Sequence, residues 1–330
     1  MKILITGAEG FIGSHLTEKL VKLGHNITCL VKYNSFGSNG WLDSCDPKII
    51  NQIKIISGDI SDADFVLTMS KKQDYVVNLA ALIAIPFSYK SPKSYVDTNI
   101  VGTLNILNAC KRNNFSLIQT STSEVYGSAV YTPIDEHHPT KGQSPYSATK
   151  IASDQLSLSF YNSFDLPITI LRPFNTYGPR QSNRAVIPSI ILQILQKRKF
   201  IQLGLTTPTR DLSFIDDTVD GFSKALKKKN IFGEIINLGQ NYEISILNLY
   251  KTITKLMNVK TPLKKGLKRL RPKKSEVMRL KCDNRKARLL LKWKPKYDKQ
   301  KGLERGLIKT IDWFSNSKNL KMYNNKDFNF

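Results

Sequence analysis

Hydrophobic residues up to position 172 alternate between short continuous runs and longer periodic stretches. Short apolar runs bounded by turn residues are typical of buried strands, whereas apolar residues spaced three and four apart are typical of helices. The predicted strands cover residues 2–6, 26–31, 53–57, 75–78, 116–121 and 168–172. The predicted helices between them include residues 11–23, 95–112 and 145–164. This alternation predicts an α/β fold with a parallel, doubly wound sheet that binds its ligand at the carboxyl ends of the strands.

The pattern changes after residue 173. A turn-rich stretch, residues 172–180, leads to a predicted helix near residues 186–197 and a short strand at residues 201–203. The chain contains no internal repeat and no low-complexity linker that would separate two independent domains. We therefore expect a sheet domain over residues 1–173 and a smaller mixed lobe over residues 174–330, interleaved with each other.

A glycine-rich turn joins the first predicted strand to the first predicted helix. Gly7, Gly10 and Gly13 have GxxGxxG spacing, and Phe11 and Ile12 lie at the start of the helix. Glycine permits a sharp turn and a close approach of the backbone to a pyrophosphate, and a helix N-terminus offers unpaired N–H groups. Strand, glycine turn and helix together predict a Rossmann-like domain that binds NAD(P) through these five residues.

The ends of three further strands are expected to contact the rest of the cofactor. An acidic residue at the end of the second strand would hold the ribose hydroxyls of NAD, but Lys32 is found there. Lys32 favours the 2′-phosphate of NADP, and an exposed loop lysine is an equally good interpretation. After the third strand, Asp59 and Ile60 are expected to frame the adenine. The fourth strand is followed by small or apolar residues that let a cofactor lie across its end, namely Leu79, Ala80 and Ala81.

Charge is distributed unevenly along the chain, which has 330 residues and a formal net charge of +24. Residues 251–330 carry about 25 Lys and Arg against 6 Asp and Glu. A cationic surface suits nucleic acid, an anionic membrane or an anionic substrate. Because no nucleic-acid motif accompanies the charge, we favour a solvated lysine-rich surface and, after it, an anionic substrate. We expect no nucleic-acid or membrane partner.

The four cysteines are scattered without metal-ligand spacing, so no metal site is expected. Free cysteines are typical of a reducing compartment, and the N-terminal residues do not resemble a secretory signal. We therefore expect a cytoplasmic protein.

Tyr146 and Lys150 are four residues apart in a predicted helix and so lie on one face. A free tyrosine has a pKa of about 10 and is a poor base at neutral pH unless a nearby cation stabilises the phenolate. Lys150 is suited to be that cation. A Tyr and a Lys at this spacing are also common on ordinary amphipathic helices, so the pair gains meaning only from other motifs.

Three motifs occur in order: the glycine turn, the YxxxK pair, and RPFNTYGPR at residues 172–180. With them the chain resembles the extended short-chain dehydrogenase/reductases, the nucleotide-sugar epimerases and dehydratases, over about residues 2–313. The resemblance implies a tightly held nicotinamide cofactor that is regenerated each turnover, and a C-terminal lobe that binds a nucleotide-diphosphate sugar. It also implies that Tyr146 takes a proton from a sugar hydroxyl, that Lys150 lowers the pKa of Tyr146, and that Thr122 hydrogen-bonds the reacting oxygen.

The residues that follow Thr122 narrow the expected reaction. Glu124 is suited to remove the acidic C5 proton once C4 is a ketone, and loss of water from C6 then leads to a 4-keto-6-deoxy sugar. Simple 4-epimerases generally lack a glutamate here. Similar glucose dehydratases carry Thr-Asp-Glu, and Ser123 cannot act as the acid that the aspartate provides. Thr-Ser-Glu instead resembles GDP-mannose 4,6-dehydratases and also UDP-glucuronate decarboxylases.

Residues 81–86 and 181–188 are most similar to the 4,6-dehydratases of the legionaminic acid pathway, which serves cell-surface glycan biosynthesis. We therefore expect GDP- or UDP-N-acetylglucosamine as substrate. Those enzymes are named NAD-dependent, which disagrees with the interpretation of Lys32, so NAD and NADP both remain open. The alternative is a UDP-glucuronate decarboxylase or an NDP-sugar 4-epimerase. A non-catalytic binding protein is a third possibility, but such a protein would be expected to lose Tyr146, Lys150 or Glu124.

Other residues are assigned to the substrate and to a partner subunit. Arg180, Arg210 and Arg271 flank proline or glycine turns and are expected to converge on the diphosphate, although each alone suits an exposed surface. Ser88 and Asn175 are assigned to the same substrate site. The helices over residues 95–112 and 145–164 carry more apolar residues than one buried face needs. We expect a homodimer through them, with burial inside one chain as the alternative.

Overall fold

The computed structural model describes residues 1–266 and 270–323, and these ranges contain twelve strands and thirteen α-helices. The strands are β1 Lys2–Thr6, β2 Asn26–Lys32, β3 Ile53–Gly58, β4 Tyr75–Asn78, β5 Ser116–Thr120, β6 Ile168–Pro173, β7 Asn175–Tyr177, β8 Ile201–Leu203, β9 Thr209–Phe214, β10 Ile235–Leu238, β11 Glu243–Ser245 and β12 Leu263–Lys265. The helices are α1 Phe11–Lys22, α2 Pro47–Ile50, α3 Ala63–Met69, α4 Ile85–Ser88, α5 Pro92–Tyr95, α6 Gly102–Asn113, α7 Pro145–Phe164, α8 Val186–Leu195, α9 Ile215–Ala225, α10 Ile246–Leu256, α11 Arg285–Leu291, α12 Lys299–Ser315 and α13 Ser317–Leu320.

Seven parallel strands form the central sheet within the described ranges, in the order β10-β6-β5-β4-β1-β2-β3. Six of them are the strands predicted from the hydrophobic pattern, and the Rossmann-like, doubly wound fold class is confirmed. The seventh, β10, comes from beyond residue 173 and pairs with β6, with Ile235 beside Ile170. The chain therefore returns from the smaller lobe to complete the sheet.

The strands are buried on both faces. Ile3 and Ile5 pack with Leu16 of α1 in one core, whereas Leu4 packs with Ile106 of α6 in a second core on the opposite face. Helices α1 and α9 lie together on the first side, and α3, α6 and α7 form the second layer. Because both faces are covered, these strands read in the sequence as continuous apolar runs.

The predicted helix over residues 95–112 is present but changes its winding in the middle. Residues 96–101 wind as a π-helix between α5 and α6. Within this segment Asn99 donates to the Thr149 hydroxyl of α7 at 3.0 Å and makes two hydrogen bonds with the backbone of Leu82. The wider turn lets one amide join the loop after β4 to α7, a polar contact that apolar periodicity cannot reveal. The helix predicted over residues 95–112 is therefore confirmed, with an internal π-helical segment that the apolar pattern did not reveal.

The smaller lobe is mixed, as expected. Strand β9 lies between β7, which is parallel to it, and β11, which is antiparallel, and β8 pairs with β12. Helices α8, α10 and α12 pack against one another beside these strands. In the part of the chain that the structure describes, no helix has the length and apolar character needed to cross a membrane. The same residues contain no cluster of three or more His, Cys, Asp or Glu suited to a metal ion.

A buried ion pair joins α7 to the sheet. Arg172 of β6 donates from Nε and Nη2 to one oxygen of Asp154, at 3.0 and 2.9 Å, and both side chains are at most 2% exposed. The Ser121 hydroxyl donates to the same oxygen at 2.6 Å, and Arg172 also donates to the Tyr126 hydroxyl. A buried charge is costly unless it is paired, so each member of this network depends on the others.

We expect Arg172→Leu to lower the free energy of unfolding by about 3–5 kcal/mol, because it leaves the Asp154 carboxylate buried without its cation. Urea denaturation at neutral pH measures this change. As a control, the double variant Arg172→Leu with Asp154→Leu should recover much of the loss, since no unpaired charge remains. A single variant as stable as the parent protein would contradict the prediction.

Candidate active site

A cavity of about 860 Å³ lies at the carboxyl ends of the central strands, between the sheet and the smaller lobe. This size is within the usual range for small-molecule sites. Every residue assigned above to cofactor binding or to catalysis lines it, as do three of the substrate residues, Asn175, Arg210 and Arg271. Ser88 and Arg180 do not line it. The fold thus gathers assigned residues as far apart in sequence as Gly7 and Arg271 around one space.

The glycine turn is packed too closely to admit side chains at two of its positions. Gly7 has a φ of +66°, and a Cβ there would lie 2.9 Å from Cα of Ala80. A Cβ on Gly13 would lie 2.2 Å from the Gly7 carbonyl oxygen. No side chain caps α1, whose N-cap is Gly10, so the N–H groups of its first turn have no side-chain partner there. This backbone fits a pyrophosphate.

Unpaired polar atoms also concentrate around the cavity. Of nine buried side-chain polar atoms without a hydrogen-bond partner among the described residues, five belong to residues that line it. These atoms are Glu9 Oε2, Thr120 Oγ1, Asn175 Oδ1, Gln181 Oε1 and Arg271 Nη1. Buried polar groups are normally satisfied, so this distribution indicates polar ligands. The residues fit a dinucleotide, and a bound nicotinamide would supply the acceptor and donor of hydride.

The strand end that would contact the adenosine ribose carries mixed charge. Lys32 Nζ lies 3.6 Å from Asp59, and the lysine side chain is 63% exposed. Burial alone would raise the pKa of Asp59, but hydrogen bonds from Ser61 and the charge of Lys32 together hold that pKa below its usual value. Lys32 therefore already forms an ion pair with Asp59.

Tyr146 and Lys150 lie in the first turns of α7, which begins where the sequence predicted it. Ser144 and Ser147 form a reciprocal capping box that starts the helix just before the tyrosine. Both functional side chains are buried, and Lys150 Nζ donates to the Thr120 carbonyl oxygen at 2.6 Å. The helix thus places an amine and a phenol side by side against the end of β5.

Burial controls how these two groups ionise. Burial lowers the pKa of Lys150 to about 8, and the charge of Asp154, one turn along α7, opposes this change. Burial also raises the pKa of Tyr146, while a hydrogen bond with Thr122 opposes the rise and the charge of Glu124 adds to it. The resemblance implied a lowered pKa for Tyr146, but in the protein alone desolvation outweighs the stabilising contacts.

Thr122 and Glu124 occupy a tight turn directly after β5. The Thr122 hydroxyl accepts a hydrogen bond from the Glu124 N–H at 3.2 Å and so caps the short 3₁₀ segment Ser123–Tyr126. Glu124 is 8% exposed, and its Oε2 lies 4.0 Å from Arg271 Nη1 of the smaller lobe. A carboxylate and a cation from opposite walls therefore meet in the cavity.

The three predicted diphosphate arginines do not converge. Arg210 lines the cavity with Arg271 and donates to Glu276 at 3.2 Å. Arg180, with a left-handed backbone at φ 68°, instead makes a two-point ion pair with Glu18 of α1, at 2.9 and 3.2 Å. Its charge is thus neutralised at the joint between the lobe and the sheet domain. Of the expected three arginines, two remain available to the cavity.

Ser88 is also positioned away from the cavity. Its hydroxyl donates to the Ile85 carbonyl oxygen at 2.6 Å within α4, and the residue is fully buried. The structure thus shows Ser88 in a contact within α4, and its assignment to the substrate stays a prediction.

Sequence reasoning missed several residues of the site. Glu9, Arg184 and Glu276 line the cavity, and Asp154 supports Lys150 from one turn away. Two of them could have been found in the sequence: Glu9 is an acid inside the glycine turn, and Asp154 is an acid four residues after Lys150. The other two come from the smaller lobe, where no local pattern marks the residues that approach the sheet.

Comparisons with known proteins place this geometry among nucleotide-sugar enzymes. The family described as GDP-mannose 4,6 dehydratase matches residues 4–306. The dTDP-D-glucose 4,6-dehydratase of Dictyostelium discoideum is 36% identical over 269 residues, which are 76% of this chain and 61% of that protein's length. UDP-glucuronic acid decarboxylase 1 of Xenopus tropicalis is 31% identical over 95% of this chain and 72% of its own.

A solved structure shows the same architecture. A variant of the UDP-glucuronic acid 4-epimerase of Bacillus cereus, in complex with UDP-4-deoxy-4-fluoro-glucuronic acid and NAD, superimposes with a TM-score of 0.86. The two chains are 31% identical, and the match covers 98% of this chain and 100% of the other. These similar proteins differ in reaction, so the reaction depends on the side chains of the cavity and not on the fold.

The pKa of Lys150 predicts a pH dependence of stability. Between about 8 and the ordinary value of 10.5, Lys150 is neutral in the folded chain but protonated in the unfolded chain. Because the unfolded state then binds more protons, the free energy of unfolding should rise with pH across this window, by about 3 kcal/mol. We expect Lys150→Met to lack this component. Urea denaturation of the parent protein and of Lys150→Met, below pH 8 and near pH 10, measures this rise. Identical pH dependence of the unfolding free energy in the two proteins would contradict the prediction.

Proposed function

The chain belongs to the GDP-mannose 4,6-dehydratase family of extended short-chain dehydrogenase/reductases, and on that premise we propose that it is an NAD(P)-dependent nucleotide-sugar 4,6-dehydratase. The proposed substrate is GDP- or UDP-N-acetylglucosamine, and the product is the 4-keto-6-deoxy sugar, as in the legionaminic acid pathway. The observation that carries the proposal is the presence of Glu124 in the same cavity as Tyr146 and Lys150.

The first step requires a group that accepts the proton of the C4 hydroxyl while hydride leaves C4. Tyr146 is the candidate, with Lys150 one turn away and with Thr122 opposing the rise in the pKa of Tyr146. Because burial raises the pKa of Tyr146, the phenolate needs additional positive charge in the loaded site. The oxidised nicotinamide is cationic and is expected to supply that charge when bound.

The second step removes water across C5 and C6. A ketone at C4 makes the C5 proton acidic, and Glu124 is the only carboxylate in the Thr122–Glu124 turn that can take it. Ser123 is too weak an acid to protonate the leaving hydroxyl. We therefore assign both tasks to Glu124: it takes the C5 proton and passes it to the departing C6 oxygen. Hydride then returns to C6 and one proton is added at C5, which balances the proton that Tyr146 took from the C4 hydroxyl, so no net oxidation occurs.

The negative charge of a nucleotide diphosphate is complementary to the positive charge on the side of the cavity that the smaller lobe forms. Arg210 and Arg271 are two cations there, and Asn175 contributes an unpaired amide oxygen. Guanidinium groups bind diphosphates through paired N–H donors. We assign these three residues to the nucleotide diphosphate and its sugar.

The proposal extends to a cytoplasmic homodimer. Apolar side chains remain exposed along the two long helical regions, with Val96 at 42%, Val101 at 38% and Phe164 at 44%. Exposed apolar side chains grouped on neighbouring helices support a subunit interface.

A UDP-glucuronate decarboxylase is the second candidate, and one observation favours it. Such an enzyme needs a cation near the C6 carboxylate, and Arg271 lies 4.0 Å from Glu124, the residue expected to face C5. The same arginine therefore suits either a diphosphate or a carboxylated sugar.

Product mass distinguishes the candidates. Purified protein would be incubated, without added reductant, with GDP- and UDP-N-acetylglucosamine, GDP-mannose and UDP-glucuronate. We expect one hexose substrate to lose the mass of one water, which establishes dehydration and identifies nucleotide and sugar together. Loss of carbon dioxide from UDP-glucuronate would replace the first candidate by the second.

Glu124→Gln should separate the two chemical steps. The amide cannot accept the C5 proton, so we expect formation of the 4-keto-6-deoxy product to slow by about 10²–10⁴-fold. Oxidation at C4, followed as absorbance of the reduced cofactor, should persist. Tyr146→Phe is the contrasting variant and should suppress C4 oxidation itself. Product formation by Glu124→Gln at the parent rate would show that Glu124 is not the C5 base.

A further inference from the structure

The end of β2 lacks the acid that usually holds an adenosine ribose, but the glycine turn brings one to the same place. Glu9 lies between Gly7 and Gly10, and its Oε1 accepts a hydrogen bond from the Lys32 N–H at 3.1 Å. Lys32 is the last residue of β2, and both residues line the cavity. A carboxylate is therefore present at the strand end, although it comes from a different element of the chain.

One oxygen of this carboxylate has no partner. Glu9 Oε2 is buried and makes no hydrogen bond to any described residue. Burial raises the pKa of Glu9, although its own N–H, the Lys32 N–H and the Lys32 charge oppose the rise. A buried acceptor without a donor is costly, so a ligand that supplies hydroxyl donors would be stabilised here.

The backbone of Glu9 is held in place. The Trp41 N–H donates to the Glu9 carbonyl oxygen at 3.0 Å. Gly40 adopts a φ of +59°, and a Cβ there would lie 2.9 Å from Cβ of Glu9. The loop after β2 is thus packed directly on Glu9, and the carboxylate is positioned before any ligand arrives.

The neighbouring charges favour hydroxyl groups over a phosphate. Lys32, the one residue there that suggested NADP, lies 3.6 Å from Asp59 and is 63% exposed. An exposed ion pair of this kind contributes little attraction to a further anion. Glu9 and Asp59 together outweigh the single lysine, so the local charge is negative.

We propose that Glu9 takes the place of the missing strand-end acid, so that it accepts hydrogen bonds from the adenosine ribose hydroxyls of NAD and repels the 2′-phosphate of NADP. This inference rests on the proposed function only in requiring a nicotinamide cofactor. It makes the chain NAD-specific and assigns no ligand to Lys32.

Direct binding tests the inference. Dissociation constants for NAD and for NADP would be measured by titration calorimetry on the purified full-length protein after removal of any carried-over cofactor. We expect NAD to bind at least about tenfold more tightly, because a half-buried carboxylate beside a phosphate is unfavourable. Equal or tighter binding of NADP would overturn the proposal, and this comparison needs no variant.

Glu9→Gln keeps the shape of the side chain and removes its charge. We expect it to weaken NAD, to strengthen NADP, and to reduce the preference by at least about tenfold. If Glu9 only supports the loop after β2, both affinities should change equally, and an unchanged ratio would overturn the proposal.

Lys32→Ala tests the competing interpretation. We expect it to leave the ratio of the two affinities unchanged, whereas a selective loss of NADP binding would assign the 2′-position to Lys32 and overturn the proposal. These measurements require no sugar substrate. A clear NAD preference in a protein that dehydrates no sugar would therefore refute the proposed function and leave this inference intact.

Discussion

The buried pair between Asp154 and Arg172 is the interaction on which the candidate site depends. It holds α7 against the sheet and places a negative charge one turn from Lys150, which opposes the effect of burial on the lysine pKa. The Ser121 hydroxyl joins the same carboxylate, so the turn that carries Thr122 is tied to it as well. A charge pair at this depth contributes little net stability but is costly to break, which makes the geometry specific.

Desolvation has two opposite effects on the paired groups of α7. It makes Lys150 easier to deprotonate and makes Tyr146 harder to deprotonate, so the protein alone does not favour a phenolate beside an ammonium. Under the proposed function, a bound cationic nicotinamide ring would oppose the effect of burial on Tyr146, because an added positive charge lowers the pKa of the phenol. Under the proposed function, the ability of Tyr146 to accept a proton would therefore depend on cofactor binding, which would restrict the chemistry to the loaded site.

The cavity has two charged ends with different tasks. Arginines of the smaller lobe give one end positive charge, which suits the nucleotide diphosphate of the proposed substrate, and Arg271 lies 4.0 Å from Glu124. At the end of β2, Glu9 and Asp59 both contact Lys32, and this net negative charge suits the ribose hydroxyls of the proposed cofactor. The net positive charge of the whole chain therefore does not predict the local charge at either end of the cavity. The local arrangement of side chains determines which groups each end can bind.

Local patterns in the sequence were enough to predict six sheet strands, the glycine turn and the start of α7, because each depends on neighbouring residues. The mutual proximity of Tyr146 and Lys150 followed from helical spacing alone. The tertiary structure decided what depends on distant partners: β10 joins the sheet through β6, and Arg180 pairs with Glu18 in place of the cavity. The sequence offered no acid at the end of β2, but Glu9 reaches that strand end from the glycine turn and accepts a hydrogen bond from the Lys32 N–H. Such a contact depends on position in space and not on order along the chain.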